Sequence, residues 1–328
     1  MKKRILASVF SFLMLVSAAW ADKGMYTYVV SKGNDGDFKT ISEAIEAIPD
    51  YCEQETLVFI KRGKYREKLV IPESKKNVIF QGEEPDSTII FFDDNVLTVK
   101  ENGGTMSTSE TASLFVYGDD IQFENITIAN NSGPIGQAVA VYVSGDRITF
   151  LNCRIKGFQD TLYTFGKASK QLYRNCYIEG CVDFIFGSST AFFENCEIHC
   201  LRGGYITAAS TPKERKYGYV FKNCQITAEE DVVPKVYLGR PWRPYAKTVY
   251  IDCTMGNFIK PCGWHNWHSK EKEKTVFYGE YNSRDQNGNP INMTARVSWL
   301  RKINPFDFTI DKVLEDFNKP GWYRQEVF

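Results

Sequence analysis

Two aspartates occupy the same place in consecutive copies of a short motif, Gly157-Phe-Gln-Asp160-Thr-Leu-Tyr163 and Gly180-Cys-Val-Asp183-Phe-Ile-Phe186. Each lies eight residues past an asparagine, Asn152 and Asn175. If the copies are adjacent turns of one repeat, the two carboxylates stack about 4.8 Å apart at the backbone. Like charges that close do not both ionise freely, so one keeps a proton while the other is charged, and the pair titrates as a unit. An acid and a nucleophile or base then share one place. The competing reading is an outward aspartate ladder, solvated or binding calcium.

The neighbouring residues favour chemistry. Gln159 precedes the first aspartate, Gln137 opens Gln137-Ala-Val-Ala-Val141 one turn earlier, and Arg240 follows Val236-Tyr-Leu-Gly239 two turns after Asp183. Two amide donors, two carboxylates and a guanidinium suit acyl transfer, in which an oxyanion develops and needs hydrogen-bond donors. A calcium site would gather further acids. The histidines are His199, His265 and His268, and none stands near a serine in a nucleophile elbow, which argues against a Ser-His-Asp hydrolase. His265 and His268 lack a third ligand and sit beside Trp264 and Trp267, so they read as an aromatic surface loop rather than a metal site. No metal and no cofactor is expected.

The elements that must carry these residues are visible as a repeat. One phrase recurs six times: Ile121-Gln-Phe-Glu-Asn-Ile-Thr-Ile128, Ile148-Thr-Phe-Leu-Asn-Cys-Arg-Ile155, Gln171-Leu-Tyr-Arg-Asn-Cys-Tyr-Ile178, Ala191-Phe-Phe-Glu-Asn-Cys-Glu-Ile198, Tyr219-Val-Phe-Lys-Asn-Cys-Gln-Ile226 and Thr248-Val-Tyr-Ile-Asp-Cys-Thr-Met255. The Asn or Asp residues are 27, 23, 20, 28 and 29 apart, a variable period around a fixed core. The apolar alternation shifts by one across each Asn, as it would where two strands meet at a corner in the left-handed conformation. Each repeat is then one coil of a parallel β-helix, with Phe123, Phe150, Tyr173, Phe193, Phe221 and Tyr250 stacked inside it. An α/β fold would need helical periodicity between the phrases, which is missing. A β-sandwich does not predict a fixed phrase.

The segment Phe38 to Ile48 has helical periodicity and is expected to cap the first coil, and the charged tail around Thr309 to Asp316 to cover the other end. Of nine cysteines, most fall at equivalent repeat positions and are expected in the core; Cys181 and Cys200 are the candidate disulfide.

The chain opens with Met1-Lys2-Lys3-Arg4, an apolar run from Ile5 to Ala19, and the small-residue site Ala19-Trp20-Ala21. That layout is a secretory leader with cleavage expected after Ala21, leaving one domain over residues 22–328. Forty basic residues balance forty acidic ones, and loss of the leader removes three basic residues, for a net charge of −3. Such a surface carries no footprint for nucleic acid. A secreted or periplasmic monomer without a membrane anchor is expected.

Taken in order, Gly63-Lys-Tyr-Arg-Glu67, Gln137-Ala-Val-Ala-Val141, Gly157-Phe-Gln-Asp-Thr-Leu162, Gly180-Cys-Val-Asp-Phe-Ile-Phe-Gly187 and Leu238-Gly-Arg-Pro-Trp242 resemble the successive signatures of the pectin methylesterase (pectinesterase) family, in its bacterial type. The likeness runs from about Asp35 to Trp299. It implies a right-handed parallel β-helix that removes methyl esters from pectin. It also implies Asp183 as nucleophile, Asp160 as general acid then base, Gln137 and Gln159 as oxyanion donors, and Arg240 as the partner that keeps Asp183 ionised. Trp242 and one of Trp264 and Trp267 would line the cleft against galacturonate rings. Tyr65 and Glu67 are expected to be structural. Gly136 stands where many members have His, and the stretch after Tyr281 departs from the common plant pattern; no inhibitor-like pro-region is expected ahead of the domain. A β-helix esterase acting on thioesters or other esters, a noncatalytic sugar-binding solenoid and a pectate lyase are the alternatives. Intact Asp160, Asp183, Gln137, Gln159 and Arg240 argue against a bare binding module, and the carboxylate pair against a lyase.

Overall fold

A computed structural model describes residues 27–166 and 168–324; the expected leader lies outside them. The chain winds as a right-handed parallel β-helix whose paired strands all run parallel. The first face is a ten-stranded sheet that begins at Tyr28–Val30 and ends at Phe277–Tyr281. The strand before each repeat asparagine lies here. The strand after it turns onto a second face, and a third strand, such as Val141–Val143 or Leu162–Thr164, closes the coil. Tyr177–Gly187 and Glu197–Ala209 run through both later faces without a break.

The corners follow from the asparagines. Asn125, Asn152, Asn175, Asn195, Asn223 and Asp252 all have φ between 49° and 55°, the left-handed conformation their short polar side chains tolerate. Asn282 repeats it at 51°, one coil beyond the recognised phrases. Inside, the six predicted rings stack face to face with centroids 4.4–5.1 Å apart, and Phe80 extends the column by one coil, 5.4 Å from Phe123.

The N-terminal helix is Ile41–Ala47, opened by a Thr40–Glu43 capping box, and it buries Ile41, Ala44 and Ile45. Glu67 accepts hydrogen bonds from the backbone nitrogens of Ile41 and Ser42, and Tyr65 donates to the Lys61 carbonyl, so both are structural as expected.

Two expectations are corrected. The tail does not cover the far end: Phe308, Val313, Leu314, Trp322 and Tyr323 pack on the outward residues Leu172, Phe192, Val220, Val249 and Ile251 of the first face. It runs back along the axis, with Asp316 on Lys170 and Lys319 on Asp120. The last coil is instead packed by Ile291, Val297, Trp299 and Leu300. Over the coils from Leu172 to Ile251 the first face carries apolar residues outward as well as inward, so that stretch takes a covering layer. The second correction is that Cys181 and Cys200 are both free thiols. Cys200 pairs with Gly180, and the register slips immediately afterwards, so Cys181 never faces it.

Candidate active site

Leu162 and Tyr163 pair with Ile185 and Phe186 in adjacent coils, a register that sets Asp160 over Asp183. The Asp160 backbone nitrogen donates to the Val182 carbonyl at 3.1 Å, tying the two coils just before the acids. Both aspartates have positive φ, 65° and 51°, unlike the extended residues that follow them. This left-handed kink is a local strain that Asp accepts more readily than most residues.

Gln137 pairs with Gln159 one coil earlier, so the two amides stand together beside the carboxylates. Arg240 comes from two coils on the other side, since Ile185 pairs with Thr207 and Thr207 with Gly239. Its Nε donates to Asp183 Oδ1 at 2.8 Å and its Nη2 to Asp183 Oδ2 at 2.6 Å. This is a two-point fork on a buried carboxylate.

The two acids are therefore electrostatically unlike. Burial pushes Asp160 well above the usual carboxylate range, and the charge of Asp183 adds to this while Arg240 only partly opposes it. Burial leaves Asp183 raised as well, but the Arg240 hydrogen bonds and charge pull against it and hold it below Asp160. The shared proton belongs on Asp160 and the charge on Asp183.

All five residues open into one cleft of about 460 Å³, whose wall also includes Trp242 and Trp267. Trp264 does not reach it. Its ring is 1% exposed, lies 4.4 Å from the Tyr278 ring and donates Nε1–H to Glu280. Of the two candidates, Trp267 is the cleft residue. His265 and His268 contact each other ring to ring, and no group of three or more His, Cys, Asp or Glu among the described residues is arranged to hold a metal.

The sequence signature of the Pectinesterase family matches residues 27–312. The chain belongs to that family. It is 38% identical over 288 residues to a probable pectinesterase/pectinesterase inhibitor of Brassica napus, covering 84% of this chain and 48% of that protein. The chain thus spans about half the length of that relative. A solved pectin methylesterase from carrot aligns with a TM-score of 0.80 and 32% identity, covering 88% of this chain and 93% of the other. A pectin methylesterase crystallised in complex with a hexasaccharide aligns at a TM-score of 0.78 and 29% identity, over 90% and 98%. The expectation of a bacterial type is not what the first two show, since both are plant proteins.

Within this pectinesterase fold, several cleft residues were not singled out from sequence. Tyr163 and Phe186 each stand three residues after their aspartate, point outward, and stack 4.2 Å apart. Their signal was present: an aromatic at an outward position of a strand has to meet something. Ser107, Thr108 and Ser109 form a hydroxyl-bearing rim beside Gln137. They come from a loop inserted between coils, which no repeat pattern reaches.

Proposed function

We propose that the chain is a carboxylic ester hydrolase that removes methyl esters from pectin (homogalacturonan), releasing pectate and methanol. The observation that carries this is the Arg240 fork on Asp183 beside an Asp160 that burial favours in its protonated form.

The ionised Asp183 attacks the ester carbonyl carbon, and the oxyanion that forms is met by the Gln137 and Gln159 amides. Asp160 gives its proton to the departing methoxide, which leaves as methanol, and Asp183 is left joined to the galacturonyl group through an anhydride. Asp160, now a carboxylate, takes a proton from water as that water attacks the anhydride. The acid product leaves, Asp183 is again ionised and Asp160 again protonated. The electrophilic help comes from amides, so the scheme calls for no metal and no cofactor. Trp242 and Trp267 supply apolar wall for sugar rings.

The leader proposed for residues 1–21 would send the protein out of the cytoplasm as a secreted or periplasmic monomer. Among the described residues no helix is long and apolar enough to cross a membrane.

The test is methanol release from highly methylated polygalacturonate by the purified protein, with new acid titrated in step. Release without unsaturated chain ends is the expected result. Chain cleavage by elimination, or hydrolysis of thioesters in place of methyl esters, would overturn the assignment.

A further inference from the structure

We infer that Tyr205 and Trp267 are positioning residues, an aromatic clamp that fixes the plane of Arg240 and so sets the fork that holds Asp183. This deepens the esterase reading and rests on it.

The Arg240 guanidinium carbon lies 3.8 Å from the centre of the Tyr205 ring and 3.9 Å from that of Trp267. Two rings that close to one carbon cannot share a face, so the guanidinium is held between them. Its edges stay open, and one edge carries the Nε and Nη2 donors to Asp183. A side chain reaching across two coils has many rotamers, and the clamp selects the one that presents the planar fork.

Each ring is itself held. Tyr205 pairs with Val182, the neighbour of Asp183, and stacks on Tyr237 with centroids 5.1 Å apart. Trp267 and His268 have φ of 54° and 56°. Two successive non-glycine residues in the left-handed region need support from their surroundings. The Trp267 backbone nitrogen donates to His265 Nδ1 at 3.0 Å, and the His265 ring packs edge-on against Tyr205 and Tyr237. Lys272 sits 5.4 Å from the centre of a Trp267 ring and donates to the carbonyls of Pro241 and Trp242, so the turn after Arg240 is tied to the same ring. The strained turn places the tryptophan on Arg240. Its contact with the cleft is a second use of the ring.

The titratable and charged groups around this cluster include Asp160, Asp183, Arg240, Arg243, His265, His268, Lys260 and Lys272, with Tyr205 and Tyr237 in the stack itself. Burial, with the charges of His268, Arg240 and Lys260, lowers His265, which keeps its Nδ1 free to accept from Trp267.

The experiment compares Tyr205→Leu, Tyr205→Phe, Trp267→Leu and Trp267→Phe for methanol release across pH. Both leucine variants are expected to lower kcat about tenfold; KM should stay within about twofold in Tyr205→Leu and rise further in Trp267→Leu, which also loses cleft wall. Their acid limb should move to higher pH, because a loosened Arg240 no longer offsets burial at Asp183. The phenylalanine variants, which keep a ring, should restore both. A loss confined to KM with an unmoved acid limb in both leucine variants would make the rings sugar platforms and overturn the clamp. Trp267→Leu stands on the cleft rim, so it tests the claim even where Tyr205→Leu fails to fold. An independent readout is the Arg240 Nε–H signal in nitrogen-15 NMR, expected to exchange slowly with water in the wild type and rapidly in the leucine variants. Slow exchange in the leucine variants overturns the clamp whatever the activity, whereas a wild type that releases no methanol overturns only the esterase reading.

Discussion

Arg240 holds Asp183 at two points, 2.8 Å and 2.6 Å, from two coils along the axis. The distance is bridged because the repeat brings Gly239 into line with Thr207 and Ile185, leaving only the side chain to cross the remaining gap. A buried carboxylate without that fork would share the fate of Asp160 and take up a proton.

Lysine at position 240 keeps the charge and loses the planar fork. Arg240→Lys is expected to lower kcat at least about tenfold, roughly 1.4 kcal/mol of transition-state stabilisation, with a smaller change in KM. Initial rates over a range of pectin concentrations check this. Unchanged kcat with weakened binding would make Arg240 a clamp for substrate carboxylates.

Asp160 gives a prediction about stability. Its folded-state pKa is raised, by burial first and by the charge of Asp183 second. Above about pH 4 the unfolded chain gives up this proton while the folded one keeps it, so the folded state binds more protons and stability falls as pH rises toward the folded value. Asp160→Asn removes that slope. The variant should be more stable than wild type at pH 7, the gap closing near pH 4, while methanol release is lost. Denaturant midpoints at the two pH values measure it.

The two amides stand together at the bridge between Gln137 and Gln159. Removing one donor from an oxyanion site costs about 100- to 1000-fold in kcat. Gln137→Ala is expected in that range, with methanol release unaffected by chelators in both proteins. Metal-reversible loss on chelation would point to a Lewis acid instead.

The tail has its own pH signature. Burial, the largest single influence, would raise Asp316, but the hydrogen bonds from Lys170 at 2.6 Å and from the backbone nitrogens of Asn318 and Lys319, with the charge of Lys170, together outweigh it, and the pKa is lowered to about 2. For a depressed carboxylate the stabilisation is complete above its unfolded value and is lost as pH falls toward 2. Asp316→Asn should therefore cost about 1–3 kcal/mol at pH 7 and progressively less below pH 4. Methanol release per folded molecule should not change, because the tail lies on the first face and the cleft on the third.

The coils and the carboxylate pair were legible because a β-helix repeats in space what it repeats in sequence. Asn152 and Asn175 set the corners, and equal offsets from them had to stack Asp160 on Asp183. Arg240 was legible by the same count of coils. What breaks the repeat could not be counted. The Ser107–Ser109 rim belongs to an inserted loop, and the slip after Gly180 that separates Cys181 from Cys200 is a local irregularity. Trp264 and Trp267 look alike in a short aromatic loop, yet Trp264 is buried at the Glu280 carboxylate and Trp267 turns outward through a left-handed backbone. The path of the tail was hidden for another reason: Leu172, Phe192, Val220, Val249 and Ile251 make the later coils of the first face apolar outside as well as inside, a request for a covering layer that the charge of the tail obscured.

The central claim is that Asp183, held ionised by Arg240, forms the bond to the substrate. Asp183→Asn keeps the shape of the side chain and removes the nucleophilic carboxylate, so the variant should fold as the wild type does and release no measurable methanol from methylated polygalacturonate. Methanol release at the wild-type rate by a correctly folded Asp183→Asn protein would contradict the account.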